Sequence, residues 1–524
     1  MAASHGTQLR GLKAAAVSSK FEGRFGRMFH HLPPARYAKT DSETTDLLNK
    51  LGDDMTAGFE DPKVGGDAEE SGIPALYTYF GQFIDHDLTF GPEGLFQKIH
   101  DPNAVVDFRT PAFDLDCVYG RGPGDQPYMY KDDASFLSGG KILGGSASAL
   151  DLPRNSATPP RALIGDPRND ENILVSQLQG LFLSFHNRKV DSGLNFGQAQ
   201  QSTQRHYQYI ILNDFLPRII NSNVLDELKT DGEYDQDKLL FYDPRHFPFM
   251  PVEFATAAYR FGHSMIRPGY QLNDLDDRLL PIFTAEKGKQ DLRGKRAMPD
   301  GFGLDWARFI DTEERPYDGA KGSGDESRRL QFAYKVDTSL VNPLGKLPDI
   351  VASNPASLAQ RNLRRSVDFG LPSGQTVARR MGLEPLHDDA IRIGKSDGSA
   401  TKPLTSVRPE FAKAFHHNAP LWTYILAEAM ASAEGVAVKG SESLKKEDGT
   451  SQNPGGIVMT PRLGPVGGRM VAEVFLGLLF ADSTSLLGSD EARGWVPPTG
   501  ADYRLRDFVN FATFAVPAVK TATA

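Results

Sequence analysis

The sequence lacks the features that mark several classes of protein. Its 524 residues contain a single cysteine, Cys117, so neither an internal disulfide nor a cluster of thiolate zinc ligands can form. No apolar run reaches the ~18 residues of a membrane-spanning helix, and the best one, at residues 471–481, predicts a buried core helix. Basic residues number 58 against 67 acidic ones, and the net charge of −9 argues against nucleic acid or anionic lipid as a partner.

The N-terminus also lacks a secretory signal. Residues 1–20 are basic, and their apolar patch at residues 14–17 is too short for the apolar region of a signal peptide. An ordinary leader is the favoured interpretation, and a transit peptide is the alternative. With no disulfides expected, we predict a cytoplasmic protein or one exported by an unconventional route. Cys117 is expected to be a buried, unreactive thiol.

Composition and periodicity predict a mainly α fold with a large core. Apolar residues make up 40% of the chain, while 51 glycines and 35 prolines predict many turns and long loops. Residues 91–160 are expected to be mostly loop, and strands do not alternate with helices. Apolar spacing predicts helices at residues 75–87, from near residue 170, and at residues 206–220, 251–265, 357–370 and 468–479.

These patterns predict one large helical domain with long loops and little β structure. The domain spans residues 71–515, and the stretch at 434–456, rich in Gly, Ser, Lys and Glu, is expected to be an exposed insertion in it. Residues 1–70 are expected to form a polar extension that packs on the domain, and residues 516–524 a C-terminal tail.

The first motif with chemical content is Gly-Gln-Phe-Ile-Asp-His-Asp at residues 81–87. On a helix, Gln82, Asp85 and His86 fall within an arc of about 100°, whereas Asp87 points about 100° away from His86. One helix can therefore present an imidazole, an amide and a carboxylate to one cavity. For this motif alone, a solvated polar helix end and half of a metal-dependent phosphohydrolase site are the alternatives.

The second motif places oxygen-bearing side chains at intervals along a loop. Thr110, Asp114 and Asp116 could converge on a hard cation such as calcium, which prefers oxygen ligands. An EF-hand does not fit, because Tyr119 stands where its glycine would be. For this segment alone, a turn stabilised by aspartate side chains is the favoured interpretation.

Three further segments combine a basic or imidazole side chain with a second feature. Gly262 beside His263 would let a bulky planar group approach the backbone closely. Helix capping, a core histidine and a solvated helix face explain the three segments taken singly. Only the order and joint content of the motifs are specific. The segments are residues 165–172 with Arg168 and Glu171, residues 259–263 with His263, and residues 362–366 with Asn362 and Arg365.

In order and content, these motifs resemble the animal-type haem peroxidase superfamily, also called the peroxidase–cyclooxygenase superfamily, in its bacterial branch. The similarity runs from about Tyr77 to Leu479 and includes the late segment at residues 467–473. The resemblance implies that residues 71–515 form a haem peroxidase catalytic domain with haem b and a calcium ion. The expected reaction reduces hydrogen peroxide and oxidises a small donor through a ferryl intermediate.

The resemblance also assigns roles to individual residues on the side where peroxide would bind. His86 matches the distal histidine, which moves the peroxide proton, and Arg168 matches the distal arginine. Gln82 stands where the family has a glutamine that orders water and halide. Asp85 and Glu171 match the two carboxylates that form ester bonds to haem methyl groups.

On the opposite, proximal side the resemblance assigns His263 as the iron ligand. Asn362 is its expected partner, accepting a hydrogen bond from the second ring nitrogen, and Arg260 and Arg365 are expected to meet the haem propionates. The calcium ligands implied are Asp87, Thr110, Ala112 through its carbonyl, Asp114 and Asp116.

Departures from the family pattern narrow the expected substrate. Asn172 follows Glu171 where some relatives have a methionine that forms a third haem bond, so a less oxidising haem is implied. Iodide, thiocyanate, bromide or phenols are therefore expected as donors. Arg260 stands where fatty-acid dioxygenases have a radical-forming tyrosine, and Tyr259 lies one residue earlier. A fatty-acid dioxygenase and a non-catalytic scaffold or adhesion module remain as alternatives, and a monomer is favoured.

Overall fold

The computed structural model describes residues 23–58, 67–90, 106–107, 109–143, 149–244, 247–284, 286, 288–315, 317, 328–349, 351–352, 354–446 and 448–513. The expected N-terminal leader and C-terminal tail lie outside these residues, as does part of the loop expected at residues 91–160. None of the helices in the described part combines the length and apolar character that a membrane crossing requires.

The prediction of a mainly α fold with little β structure is confirmed. Within the described ranges, six short sheets of two or three strands lie between the helices. The longer helices are Asp41–Asp54, Leu76–Leu88, Ile173–Asp191, Phe196–Ile210, Leu358–Asp368, Gly374–Arg380, Leu421–Ala431, Pro465–Ala481 and Leu505–Thr513. Shorter helices are Asp116–Tyr119, Leu216–Ile219, Ser222–Asp226, Val252–Thr256, Leu404–Val407 and Phe411–Ala414. The strands are Gly23–Gly26, Glu70–Pro74, Val106–Asp107, Lys229–Thr230, Glu233–Tyr234, Met250–Pro251, Gly269–Tyr270, Leu280–Pro281, Phe332–Tyr334, Arg392–Ile393, Lys402–Pro403, Glu434–Ala437 and Ile457–Thr460.

Aromatic packing in the core fixes the helix that carries the first motif. The Leu76–Leu88 helix is buried along most of its length, and Phe83 stacks on Phe182 of the Ile173–Asp191 helix with ring centroids 4.4 Å apart. Phe185, one turn further along, stacks on Phe508 at 4.2 Å. Stacked pairs of buried rings stabilise beyond the area they bury, so the first motif is held on a rigid element.

The N-terminal residues that the structure describes pack against the rest of the fold. The Asp41–Asp54 helix begins with a capping box formed by Thr40 and Glu43, and it buries Leu48 and Leu51. It lies against the Leu358–Asp368 helix, whose Arg364 donates to Asn49 at 3.0 Å. At residues 434–456 the structure forms a mostly exposed segment whose first strand, Glu434–Ala437, pairs with Ile457–Thr460.

Two predicted helix starts are wrong. The helix expected from near Asp170 begins at Ile173, because Asn172 is its N-cap and accepts from the N–H groups of Leu174 and Val175. The helix expected at residues 206–220 begins ten residues earlier, at Phe196. It passes through a π-helical turn at Ile211–Phe215 before it ends at residue 219.

The helix predicted at residues 251–265 is divided in two. An α-helical turn at Val252–Thr256 is followed by a 3₁₀ helix at Ala258–His263, with a break at Ala257, where φ is −133°. A 3₁₀ helix has three residues per turn, so Arg260 and His263 lie on the same face. Both residues line the cavity described below.

Candidate active site

One cavity of about 620 Å³ brings together residues from distant parts of the chain. Its walls come from the Leu76–Leu88 helix, the 3₁₀ turn at Pro167–Asp170 and the Ala258–His263 segment. This volume suits a cofactor, since ligand pockets commonly measure about 300–1,000 Å³. Seven residues singled out in the sequence line it: Gln82, Asp85, His86, Arg168, Glu171, Arg260 and His263.

A hydrogen bond at Nδ1 fixes the orientation of the His86 ring. Its Nδ1 lies 2.7 Å from Asn169 Oδ1, and Asn169 Nδ2 donates to Gln179 Oε1 at 2.8 Å. Since the amide oxygen faces the ring, Nδ1 carries the proton and Nε2 keeps its lone pair. Burial lowers the pKa of His86, and Arg168 lowers it further. His86 is therefore neutral at neutral pH and able to accept a proton at Nε2.

Arg168 is held beside His86 by several partners. Its guanidinium forms an ion pair with buried Asp166 at 2.8 Å and donates to the carbonyls of His86 and Thr89 at 3.1 and 2.5 Å. The Phe90 ring lies 4.7 Å from its guanidinium carbon. A cation fixed in this way needs little rearrangement to stabilise negative charge in the cavity.

The two carboxylates expected to form ester bonds lie on this cavity with different partners. Asp85 forms an ion pair with Arg260 at 3.0 Å. Burial acts to raise the pKa of Asp85, but Arg260 and other nearby cations outweigh it and leave that pKa below its usual value. Glu171 accepts a short hydrogen bond from the Gln82 amide, and its Oε1 lies 3.9 Å from His86 Nε2.

His263 lies in the wall formed by the 3₁₀ helix. Burial lowers its pKa to about 3, with Arg260 and Arg365 adding to the effect, so the imidazole is neutral and suited to a metal. A Cβ atom built on Gly262 would meet nothing within 4 Å, which leaves the backbone open to the cavity. A neutral imidazole beside an open backbone in a cofactor-sized cavity fits the expected haem.

Asn362 contacts His263 as expected, but the Asn362 amide is turned the other way. The sequence predicted that the amide oxygen would accept a hydrogen bond from His263, whereas the amide nitrogen faces the ring. Asn362 Nδ2, not its oxygen, lies 2.7 Å from His263 Nδ1, because Arg365 donates to Asn362 Oδ1 at 2.6 Å. For Nδ1 of His263 to donate instead, the amide must turn over and Arg365 must release it. Arg365 therefore controls the orientation of the amide behind His263.

The oxygen-bearing side chains of the second motif lie close together in the structure, and Asp87 of the first motif lies beside them. Ligand oxygens of Asp87, Asp114 and Asp116 all lie within 4.8 Å of one another, and Thr110 Oγ1 donates to Asp114 at 2.7 Å. Burial and the neighbouring carboxylate of Asp114 raise the pKa of Asp87 to about 7, and burial raises that of Asp114 to about 6. Arg109 Nη1 is 3.5 Å from Asp116. Three close carboxylates with one guanidinium at their edge fit a divalent cation with oxygen ligands.

Several site residues are absent from the sequence predictions. Asn169 orients His86, and Arg109 links the two sites through an ion pair with Asp166 and a 3.1 Å hydrogen bond to the His86 carbonyl. Arg293, Lys295 and Arg296 also line the cavity, from a loop that pairs with residues 170–173. Asn169 is adjacent to Arg168 in the chain, but no sequence spacing indicates which side chain faces His86.

Solved structures of known proteins share this mainly helical fold. Peroxidase A from Dictyostelium discoideum covers 95% of both chains with a TM-score of 0.53 at 14% identity. A fatty acid alpha-dioxygenase from Oryza sativa covers 94% of this chain and 82% of its own with a TM-score of 0.50 at 15% identity. At these identities the likeness concerns the fold alone.

The family model described as animal haem peroxidase matches residues 101–388, more than half of the chain, and the protein belongs to this family. Thyroid peroxidase from Canis lupus familiaris is 27% identical over 406 residues, which cover 62% of this chain and 40% of the relative. Peroxidasin from Drosophila melanogaster is 29% identical over 233 residues, covering 41% and 13%. The chain thus spans less than half the length of these curated relatives.

Proposed function

We propose that this protein is a haem peroxidase that reduces hydrogen peroxide and oxidises a small donor. The observation that carries the proposal is the pair of neutral histidines, His86 and His263, which line one cavity from separate segments, with Arg168 fixed beside His86. Membership of the animal haem peroxidase family supports it. A scaffold without catalysis would not need this arrangement of base, cation and neutral ligand.

The residues on the His263 side would hold the cofactor. When bound, haem b supplies an iron centre that takes oxidising equivalents from peroxide and passes them to a donor. His263 would bind the iron through Nε2, and Gly262 leaves room for a planar group beside the backbone. Asn362 would set the ring's orientation once its amide oxygen faces Nδ1, which tunes a ligand through its second nitrogen.

The residues on the His86 side would move the proton and stabilise charge. Neutral His86 accepts a proton of hydrogen peroxide at Nε2 and returns it to the departing oxygen. Arg168 stabilises the negative charge that develops on that oxygen. Each such contribution is typically worth about 10²–10⁴-fold in rate.

We further propose that Asp85 and Glu171 form ester bonds to the haem, and that Asp87, Thr110, Ala112, Asp114 and Asp116 bind calcium. The location of both carboxylates on the cavity supports the first, and the converging acids support the second. Mass spectrometry of the denatured holoprotein tests the esters: haem that extracts freely into organic solvent would contradict them.

The cavity walls favour small anionic donors. Arg293, Lys295 and Arg296 add positive charge to the side of the cavity next to Glu171, and such a field raises the local concentration of anions. Iodide, thiocyanate and bromide are anions, whereas phenols are neutral at pH 7. Because Asn172 cannot form a third haem bond, we propose these halides and thiocyanate, rather than chloride, as donors.

Stopped-flow kinetics of the haem-loaded protein test the central proposal. His86→Ala should keep haem bound but slow the reaction with hydrogen peroxide by about 10²–10⁴-fold. His30→Ala, at an exposed histidine, is the matched control and should react like the parent. Unchanged peroxide kinetics in His86→Ala would remove its role. Lipid-dependent oxygen uptake would instead favour the fatty-acid dioxygenase alternative.

A further inference from the structure

A second group of metal-binding side chains lies outside the haem cavity and the acidic loop. Ligand atoms of Asp388, His416 and His417 all lie within 4.8 Å of one another. Asp388 is buried, whereas the side chains of His416 and His417 are 63% and 51% exposed. The cluster therefore has a buried carboxylate as its base and two imidazoles open to solvent.

The separations match the requirements of a tetrahedral metal ion. Asp388 Oδ2 lies 2.7 Å from His416 Nδ1 and 3.7 Å from His417 Nδ1. Ligands at about 2.0–2.1 Å from a tetrahedral zinc ion are roughly 3.3 Å apart, which falls between these two distances. A shift of about half an ångström by each exposed ring would bring both distances to this value. Water can occupy the remaining position.

The backbone brings two consecutive imidazoles to the same side of the chain. Side chains of neighbouring residues diverge on a helix or a strand. Here His417 has φ of +49°, a left-handed conformation that is uncommon among non-glycine residues, and the two ring centroids are 4.0 Å apart. The arrangement presents two nitrogens to a single carboxylate.

The Asp388 carboxylate is positioned by a buried side chain outside the cluster and by a backbone N–H. Gln375 Nε2 donates to Asp388 Oδ1 at 3.2 Å, and the backbone N–H of His417 donates to both carboxylate oxygens at 3.1 Å. Gln375 is fully buried, and its Oε1 accepts from the Ala419 N–H at 2.9 Å. Metal-binding carboxylates are commonly held by such hydrogen bonds, which orient them before the ion arrives.

We propose that Asp388, His416 and His417 bind one divalent transition-metal ion, of which zinc is the representative probe. Two imidazole nitrogens and one carboxylate oxygen suit zinc, copper or nickel, whereas calcium and magnesium prefer oxygen ligands. The ion would join the turn at residues 388–390 to the segment that leads into the Leu421–Ala431 helix. The proposal does not depend on the peroxidase reaction.

Equilibrium dialysis of the haem-loaded protein against Zn²⁺, in excess Ca²⁺ to fill the acidic loop, tests the site. Zinc bound per chain, measured by elemental mass spectrometry, should reach one. His416→Ala and His417→Ala should each weaken binding at least 10-fold, a loss typical of disturbed metal sites. Both changes are at exposed side chains, so the fold should be kept, and circular dichroism checks this.

His387→Ala is the matched control, because this exposed histidine is adjacent to Asp388 but its ring pairs with Asp389. It should leave the zinc affinity unchanged, and X-ray absorption at the zinc edge should show imidazole ligands that are lost in His416→Ala. The proposal is overturned if the double variant of His416 and His417 binds zinc as well as the parent. It is also overturned if His387→Ala weakens binding as much as His416→Ala does.

Discussion

Replacing Asn169 by aspartate tests whether His86 acts as the base that takes the peroxide proton. Asn169 Oδ1 accepts the hydrogen bond from His86 Nδ1 at 2.7 Å in a fully buried position. Asn169→Asp substitutes a charged acceptor of almost the same shape. The charged oxygen stabilises the protonated imidazole more than the neutral one, so the pKa of His86 should rise.

The size of the shift follows from the hydrogen-bond energies. A hydrogen bond between neutral groups contributes about 0.5–1.5 kcal/mol and one to a charged group about 1.5–3 kcal/mol, a difference of about 1–1.5 kcal/mol. At about 1.36 kcal/mol per pKa unit, the pKa of His86 should rise by roughly one unit. Burial and Arg168 hold that pKa below its usual value in the parent, so the substitution raises the pKa back toward that usual value.

The surroundings can accept this substitution. Asn169 Nδ2 donates to Gln179 Oε1, and the buried Gln179 Nε2 has no hydrogen-bond partner among the described residues. When the Gln179 amide turns over, its Nε2 donates to the new carboxylate. The loss of one donor at position 169 is therefore compensated by a donor already present.

The assay is the second-order rate constant for reaction with hydrogen peroxide, measured against pH in the haem-loaded protein. His86 works as a base only when neutral, so the rate falls as the pH drops through its pKa. In Asn169→Asp this fall should move about one pH unit higher. Asn155→Asp, which adds the same charge at an exposed turn, should leave the profile unchanged. A profile that stays in place or moves to lower pH in Asn169→Asp would refute the reasoning.

Three further changes test other parts of the structure. His263→Ala should abolish stable haem binding, seen as loss of the haem absorbance after purification with the far-ultraviolet circular dichroism unchanged. Asp114→Asn should weaken calcium binding, measured by dialysis and elemental analysis, because it removes one of three converging carboxylates; equal calcium content would count against the site. Glu70→Gln should lower the free energy of unfolding by about 3–5 kcal/mol, measured with denaturant, because it removes the buried carboxylate that forms ion pairs with both Arg267 and Arg329.

The order of the motifs along the chain was enough to predict the family and the mainly α fold. Residue types and helical spacing sufficed for the Leu76–Leu88 helix, because its apolar pattern and its polar end are local properties of the sequence. The residues expected around the haem were predicted from resemblance to a family, and seven of them line one cavity. Their chemical roles stay predictions that the experiments above address.

Only the tertiary structure decided how these residues contact one another. The break at Ala257 replaces the continuous α-helix predicted at residues 251–265 with an α-helical turn and a 3₁₀ helix, which carries both Arg260 and His263. The hydrogen bond between Asn169 and His86 depends on packing between segments about 80 residues apart. The hydrogen bond from Arg365 to the Asn362 amide depends on how these two side chains rotate. A sequence determines local periodicity and residue chemistry, but hydrogen bonds between distant segments depend on how the helices pack, which no local pattern specifies.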